Sequence, residues 1–161
     1  MKTHDSAKPD KVRRRLTAAM ALGAIATAWR GSAADAIPID VWPGLGCGCC
    51  HDWIDYLKAN GFDVTTHDGG NVEIRKSLGM PVDYGSCHTA RAAGYAIEGH
   101  VPAREIRRLL AEKPDALGVS VPAMPRGSPG MDGPAYGNAR DPYDVLLVRR
   151  DGSTAVYQPY R

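Results

Sequence analysis

The chain concentrates three of its four cysteines in one short run. Cys47, Cys49 and Cys50 fall within four residues and are followed directly by His51. Cys47 and Cys50 form a C-x-x-C pair, which is the spacing of thiol–disulfide redox sites. The complete C-x-C-C run is too dense for one disulfide, and its thiolates are soft ligands that suit Cu(I), zinc or an iron–sulfur cluster. The run is therefore compatible with two chemistries, thiol redox exchange and metal binding.

The remaining cysteine, Cys87, is also followed by a histidine, His88. Cys87 can add a fourth thiolate from a neighbouring strand to hold one or more Cu(I) ions, and His51 and His88 offer imidazoles that also suit copper. Because side chains alternate along a strand, Cys87 and His88 should point to opposite faces unless a bulge intervenes. In the alternative interpretation, Cys87 is a small buried residue and His51 is a solvated helix residue. His100 is expected to cap a helix.

A segment rich in Gly and Pro carries two further soft ligands. Residues 118–142 contain five Gly and five Pro, which predicts an irregular structure. Met124 and Met131 lie in this segment, and a thioether binds soft metals and survives oxidising compartments better than a thiolate does. Alternatively, the segment is a surface loop that buries its two methionine side chains in the core. The length of the segment favours a functional loop.

The hydrophobic pattern of residues 37–161 predicts strands and helices in alternation. Strands are expected at residues 37–42, 62–66, 87–92, 95–98, 143–148 and 154–158, and helices at residues 49–60, 71–78 and 102–113. Asn71 is expected to cap the second helix, and Asp151-Gly152 predicts a hairpin between the last two strands. The buried side of the first helix is predicted to consist of Cys50, Trp53, Ile54 and Leu57.

The first 36 residues have the organisation of an export signal. Arg13–Arg15 precede 14 uncharged residues, Leu16–Trp29, and Ala34–Ala36 provides a small-residue cleavage site. The paired arginines favour the twin-arginine export route. The alternative is a membrane anchor, but a spanning helix needs about 20 apolar residues. We therefore predict cleavage near Ala36, a periplasmic location and a mature domain of residues 37–161 with no stable membrane span.

The charge balance excludes a nucleic-acid partner. The whole chain has a net charge of +2, but residues 1–36 hold seven of its 20 Lys and Arg and three of its 18 Asp and Glu residues. Residues 37–161 keep 13 basic and 15 acidic residues, a net charge of −2. No basic surface for nucleic acid is expected from that balance. An exported domain would occupy an oxidising compartment, in which a disulfide can persist.

The order of predicted elements resembles the thioredoxin fold, with the C-x-x-C pair at the first strand-to-helix junction. The predicted fold class is therefore α/β, a thioredoxin-like mixed sheet flanked by helices, with a Pro/Gly-rich loop and a C-terminal β-hairpin. The resemblance places Met80–Pro81 where that fold carries a cis-proline facing the cysteines. In a thiol oxidoreductase of this kind, the Cys47 thiolate would attack the substrate disulfide, and Cys50 would resolve the mixed disulfide that forms. Cys49 is superfluous to that scheme, and an extra thiol invites disulfide reshuffling.

Several motifs together resemble the CopG-type periplasmic copper resistance proteins, a family described as metal-binding. The likeness covers nearly all of residues 37–161. It implies a thioredoxin-like fold, copper bound by Cys47, Cys49, Cys50 and Cys87, and a link between Cu(I)/Cu(II) chemistry and cysteine oxidation. The matching stretches are C-x-C-C at residues 47–50, S-C-H-T-A at 86–90, G-Y at 94–95, I-E-G-H-V-P at 97–102 and M-P-x-G-S-P-G-M at 124–131.

The sequence thus predicts an exported copper-binding protein of copper resistance. Its expected partners are copper ions, Cu(I) or Cu(II), and other periplasmic copper-handling proteins. The alternative is a periplasmic thiol–disulfide oxidoreductase with Cys47 and Cys50 as its catalytic pair, so enzymatic activity is left open. A zinc or iron–sulfur site is a third hypothesis; structural zinc sites usually draw their ligands from two separated pairs. The candidate metal ligands are Cys47, Cys49, Cys50, Cys87, His51, His88, Met124 and Met131.

Overall fold

The computed structural model describes residues 36–161, so all but the last residue of the predicted export signal lies outside the described residues. Short 3-10 turns occur at Val82–Tyr84 and Pro134–Tyr136. The strands are β1 (Ile37–Pro43), β2 (Phe62–Thr66), β3 (His88–Ala92), β4 (Tyr95–Glu98), β5 (Gly118–Ser120), β6 (Tyr143–Val148) and β7 (Thr154–Tyr160), and the helices are α1 (Gly48–Ala59), α2 (Val72–Ser77) and α3 (Ala103–Glu112).

The strands form one mixed sheet in the order β2-β1-β3-β4-β5-β6-β7. β1 pairs in parallel with β2 and antiparallel with β3, and β3 pairs antiparallel with β4. These four strands, with α1 and α2 as connections and α3 after β4, have the thioredoxin-like arrangement. β5 pairs in parallel with β4, and the antiparallel strands β6 and β7 extend the sheet. The predicted fold class and the C-terminal hairpin are confirmed.

Helix α1 packs against the sheet through the face that the sequence predicted. Its buried residues recur at helical spacing, which places one apolar stripe on the core. Helix α3 buries Ile106 and Leu109 in the same core as Ile97 of β4 and Val119 of β5. The start of α1 lies beside the end of β1 and the start of β3. The buried residues of α1 are Cys50, Trp53, Ile54 and Leu57.

Two local expectations are wrong. The segment 118–142 was expected to be irregular, but it begins with β5 and contains the turn Pro134–Tyr136. β5 is only three residues long and is held by pairing with both β4 and β6, so its local pattern is too short to indicate a strand. Asn71 does precede α2, yet its side chain makes no capping bond and instead donates to the carbonyl oxygen of Ser86 at 3.1 Å.

The predicted cis-proline is also wrong. No peptide bond within residues 36–161 is cis, so the Met80–Pro81 bond is trans. The turn Val82–Tyr84 separates Pro81 from β3, and the residue directly before β3 is Cys87. Cys87 therefore occupies the position that faces the cysteines of α1. None of the helices in the described part of the chain is long and apolar enough to cross a bilayer.

Candidate metal centre

The loop between β1 and α1 sets the position of the first cysteines. The N–H of Gly44 donates to the carbonyl oxygen of Cys87 at 2.8 Å, and the N–H of Cys47 donates to the carbonyl oxygen of Gly44 at 3.2 Å. A Cβ atom on Gly44 would lie 2.6 Å from the Cys87 oxygen, so this close approach requires glycine. The loop therefore ties the start of α1 to the residue before β3. Cys47 occupies the N-cap position of α1, just outside the helix, as predicted.

All four cysteine sulfurs lie within 4.8 Å of one another. Cys47 and Cys50 are joined by a disulfide, whereas Cys49 and Cys87 are free thiols. The Sγ atom of Cys49 lies 3.5 Å from that of Cys47 and 3.8 Å from that of Cys87. Cys50 is fully buried, and the other three cysteines are partly exposed. The Cys49 sulfur thus lies close to both the disulfide and the Cys87 sulfur.

Two histidines complete a second group of donors around Cys87. The Sγ atom of Cys87 lies 3.4 Å from Nδ1 of His88 and 3.1 Å from Nε2 of His100. The expectation that Cys87 and His88 point to opposite faces is wrong, because Cys87 precedes β3 and strand alternation does not apply to it. Cys87 is therefore shared between the four-cysteine group and a group of one cysteine and two histidines.

Backbone carbonyl oxygens orient both imidazole rings. Nε2 of His88 lies 2.8 Å from the carbonyl oxygen of Gly99, and Nδ1 of His100 lies 2.8 Å from that of Pro129. Because a carbonyl oxygen only accepts, each of these nitrogens must carry the proton. The other nitrogen of each ring then presents a lone pair toward Cys87. Fixing a histidine ligand through its second nitrogen is the usual arrangement in metal sites.

Burial keeps these groups uncharged in the metal-free protein. Burial and the nearby His100 lower the pKa of His88 to about 3, and burial also lowers the pKa of His100. Burial and the neighbouring Cys49 raise the pKa of the Cys87 thiol to about 12. Neutral imidazoles are the form that binds metal, so both histidines are ready as ligands. A cation at the centre would favour the thiolate form of Cys87.

His100 was not predicted as a member of this centre. It was expected to cap α3, but α3 starts at Ala103 with Pro102 at its N-cap, and the His100 side chain is fully buried. The signal was present in the strand order, since β3 and β4 are antiparallel neighbours. The residue before β3 and the residues after β4 therefore lie at the same end of the sheet.

The other predicted ligands are His51, Met124 and Met131. His51 is exposed on α1 and belongs to neither group. Met124 is 49% exposed and lines a surface cavity with Pro125 and Tyr143, and Met131 is buried at 8% exposure. The ligand roles of His51 and the two methionines stay predictions. The Pro/Gly-rich loop contacts His100 through the backbone carbonyl oxygen of Pro129.

That loop packs tightly against the start of α1. Gly130 has φ +81°, and a Cβ atom there would lie 2.7 Å from the backbone nitrogen of Trp53 and 2.9 Å from the carbonyl oxygen of Cys49. Only glycine adopts this positive φ without strain and also lacks the Cβ atom that would collide with α1. The tight packing holds the neighbouring Pro129 carbonyl against His100. Cysteine sulfurs beside neutral, oriented imidazoles form a donor set that suits copper or zinc when the thiols lose their protons.

One family model and two solved structures resemble this chain. The family model described as "Protein of unknown function, DUF411" matches residues 84–131. Two solved structures, "Copper resistance protein copG- Form 1" and "Form 2", each share 44% identity with this chain at a TM-score of 0.71. The matches cover 77% and 78% of this chain and 97% and 98% of those chains. No curated protein sequence matches the chain. The chain therefore belongs to the CopG family of copper resistance proteins.

Proposed function

We propose that this protein binds copper at the centre formed by the four cysteines, His88 and His100, and that it acts in copper resistance. The observation that carries the proposal is the convergence on the Cys87 sulfur, which lies 3.4 Å from Nδ1 of His88, 3.1 Å from Nε2 of His100 and 3.8 Å from the Cys49 sulfur. Thiolate and imidazole ligands together suit both oxidation states of copper. Cys87 would be the ligand shared by the two donor groups.

Copper fits these residues better than a structural zinc ion does. A structural zinc site usually holds one ion by four ligands in a closed tetrahedron. Here six donors lie in two groups that share one sulfur, which suits more than one ion. Cu(I) is the softer ion and is favoured by closely spaced thiolates. The relatives are described as copper resistance proteins, which also supports copper.

The disulfide provides a route for coupling copper redox chemistry to cysteine oxidation. Two thiolates, Cys47 and Cys50, lose one electron each when their disulfide forms, and two Cu(II) ions that accept these electrons become two Cu(I) ions. The reverse transfer returns both electrons and reopens the disulfide. Because disulfide sulfurs are no longer thiolates, the oxidised form keeps only Cys49 and Cys87 as thiol ligands. Oxidation should therefore lower the copper capacity.

A second candidate function is thiol–disulfide exchange with other proteins. It is favoured by the disulfide at the start of α1 and by the partial exposure of Cys47. In an insulin-reduction assay this function requires Cys47 and Cys50 but tolerates Cys87→Ser. Loss of insulin reduction in Cys47→Ser with full retention in Cys87→Ser would support it. Activity near the uncatalysed rate in the unmodified protein would exclude it.

We further propose that the protein is exported to the periplasm, with processing near Ala36 and other copper-handling proteins as partners. The arginine-rich start and the uncharged stretch of the first 36 residues support export. Cell fractionation with N-terminal sequencing tests this proposal. We expect a periplasmic protein that begins near Ile37 and is retained inside the cell after replacement of Arg13 and Arg14 by Lys. A cytoplasmic protein that keeps its first residues would contradict it.

Anaerobic titration tests the copper proposal. Reduced protein is titrated with Cu(I) in competition with a chromophoric chelator, and bound copper is counted. We expect Cys87→Ser and His100→Ala to lose bound copper, whereas His67→Ala, a histidine outside the centre, retains it. Absence of copper from the unmodified protein, or unchanged binding in Cys87→Ser, would overturn the proposal.

A further inference from the structure

A fully buried glutamate lies at the end of β4, next to the metal centre. Glu98 has no exposed surface, and each of its carboxylate oxygens accepts hydrogen bonds. Oε1 accepts from the backbone N–H of Ser86 at 2.6 Å and from Nε of Arg75 at 2.9 Å. Oε2 accepts from the hydroxyl of Thr89 at 2.7 Å. This carboxylate connects β4 with α2 and with the segment that precedes β3.

The same network also fixes the backbone carbonyl group of Ser86. The second guanidinium nitrogen of Arg75 donates to the Ser86 carbonyl oxygen, and the amide of Asn71 donates to that oxygen at 3.1 Å. The Arg75 side chain is 14% exposed, so most of this ion pair is shielded from water. Both backbone groups of Ser86 are therefore held by side chains from α2 and β4, and the next residue is Cys87.

Glu98 also adjoins the other side of the centre. It is followed directly by Gly99 and His100, and the N–H of Gly99 donates to the carbonyl oxygen of His88 at 3.0 Å. The sulfur of Cys87 and the Nε2 atom of His100 therefore belong to two short segments that Glu98 joins. The separation of these two atoms is 3.1 Å.

We infer that Glu98, held by Arg75, is a positioning residue of the metal centre that sets where Cys87 stands relative to His88 and His100. The predicted effect of Glu98 on metal affinity rests on the proposed copper function. The structural part of the inference concerns the metal-free protein and can be tested without copper. Glu98 belongs to neither donor group, and its oxygens accept hydrogen bonds from Arg75, Ser86 and Thr89.

The chain offers a matched control in Glu105 of α3. Glu105 is also buried, at 1% exposure, and it also contacts an arginine, Arg104 at 2.7 Å, and a hydroxyl, Tyr160 at 3.0 Å. It belongs to neither donor group and has no contact with Ser86 in the hydrogen-bond network described above. A glutamine at either position keeps the shape and removes the charge. A merely structural effect of losing a buried carboxylate should therefore appear in both variants.

The first measurement uses the reduced, metal-free protein. Glu98→Gln, Glu105→Gln and the unmodified protein are treated with iodoacetamide, and alkylation of Cys87 and Cys49 is followed by peptide mass spectrometry. We expect Glu98→Gln to speed the alkylation of Cys87 relative to Cys49, while Glu105→Gln leaves that ratio unchanged. Equal ratios in all three proteins, or an equal rise in both variants, would overturn the inference.

The second measurement is the Cu(I) affinity of the same proteins. Loss of a residue that orients a metal ligand typically costs about 10–100-fold in affinity, and we expect that loss in Glu98→Gln but not in Glu105→Gln. Arg75→Lys should retain more affinity than Arg75→Met, because lysine keeps the positive charge. If Glu98→Gln fails to fold, Thr89→Val removes one donor from the same carboxylate and should change both readouts in the same direction.

The two measurements separate the inference from the copper proposal. If the unmodified protein binds no copper but Glu98→Gln selectively speeds Cys87 alkylation, the copper proposal fails and the positioning inference stands. If the unmodified protein binds copper and Glu98→Gln matches it in affinity and alkylation, the inference fails and the copper proposal stands.

Discussion

The indole ring of Trp53 packs against the imidazole ring of His88, with ring centroids 4.2 Å apart. The indole N–H donates to the carbonyl oxygen of Val101 at 3.0 Å, and the Trp53 side chain is fully buried. A residue of the helix interior thus contacts the metal centre directly. This contact makes Trp53 a natural reporter of metal binding, and it gives the first prediction.

Copper binding should quench the fluorescence of Trp53. An ion bound by His88 would lie beside the indole ring and would provide a fast route for loss of the excited state. We expect Trp42→Phe to retain the quench, because Trp42 stacks on His67 instead, with centroids 4.3 Å apart. Trp53→Phe should lose it. Titration of the reduced protein with Cu(I) checks this, and quenching that survives in Trp53→Phe would contradict it.

Substitution of Gly130 should damage the centre although it replaces none of the proposed ligands. Alanine would be strained at φ +81° and would collide with the backbone of Trp53 and Cys49. We expect Gly130→Ala to lower the free energy of unfolding by at least about 1–2 kcal/mol, the cost of a left-handed conformation for an L-residue. It should also weaken copper binding, since the Pro129 carbonyl orients His100.

Gly133 is the matched control for that substitution. It lies in the same loop with φ −74°, and a Cβ atom there would meet nothing within 4 Å. Gly133→Ala should leave both stability and copper binding unchanged. Urea unfolding and copper titration of the two variants test this pair. Equal effects at the two positions would show that the loop does not position the centre.

Oxidation should remove part of the copper capacity. The form with the Cys47–Cys50 disulfide has two free thiols, Cys49 and Cys87, and the fully reduced form has four. We expect copper bound per protein to rise as the thiol count rises from two to four. Thiol counting and metal analysis on the same oxidised and reduced samples measure this relation. Equal copper content in the two forms would rule out the disulfide as a control of metal binding.

Acid should loosen the loop through the pair of Arg126 and Asp141. Two bonds from the Arg126 guanidinium, at 3.0 and 2.6 Å, hold the pKa of Asp141 at about 2, below its ordinary value of 3.8. Because the folded pKa is depressed, this contribution to stability is present above pH 3.8 and is lost as the pH falls toward about 2. Asp141→Asn should therefore show a weaker dependence of stability on pH in that window.

The acid prediction is measured by denaturant unfolding at a series of pH values. Asp63→Asn, which replaces an exposed carboxyl on β2, serves as the control for the loss of one surface carboxylate. If the free energy of unfolding of Asp141→Asn changes with pH as steeply as that of the unmodified protein, the role given to this pair is contradicted.

Sequence patterns were sufficient for most of the fold and for five of the six residues in the two donor groups. The apolar spacing of α1 predicted the buried face that carries Cys50 and Trp53, and the C-x-C-C run fell at a strand-to-helix junction as expected. These features depend on neighbours along the chain, which periodicity reports well. The position of Cys47 just outside the helix follows from the same pattern.

The remainder depends on contacts between distant segments. His100 joins the centre because β3 and β4 are antiparallel and because the loop returns to place the Pro129 carbonyl against it. β5 forms because β4 and β6 offer partner edges on its two sides. The Met80–Pro81 bond is trans, and the turn Val82–Tyr84, which no local pattern marked, places Cys87 rather than Pro81 directly before β3.

X-ray absorption spectroscopy of the copper-loaded protein tests the central claim most directly. The claim is that copper is held by thiolates together with the imidazoles of His88 and His100. The reduced protein loaded with Cu(I) should show both sulfur and imidazole scattering around the metal, and the imidazole contribution should be lost in the double variant His88→Ala, His100→Ala. Scattering from sulfur alone in the unmodified protein, or an imidazole signal that persists in the double variant, would contradict the account.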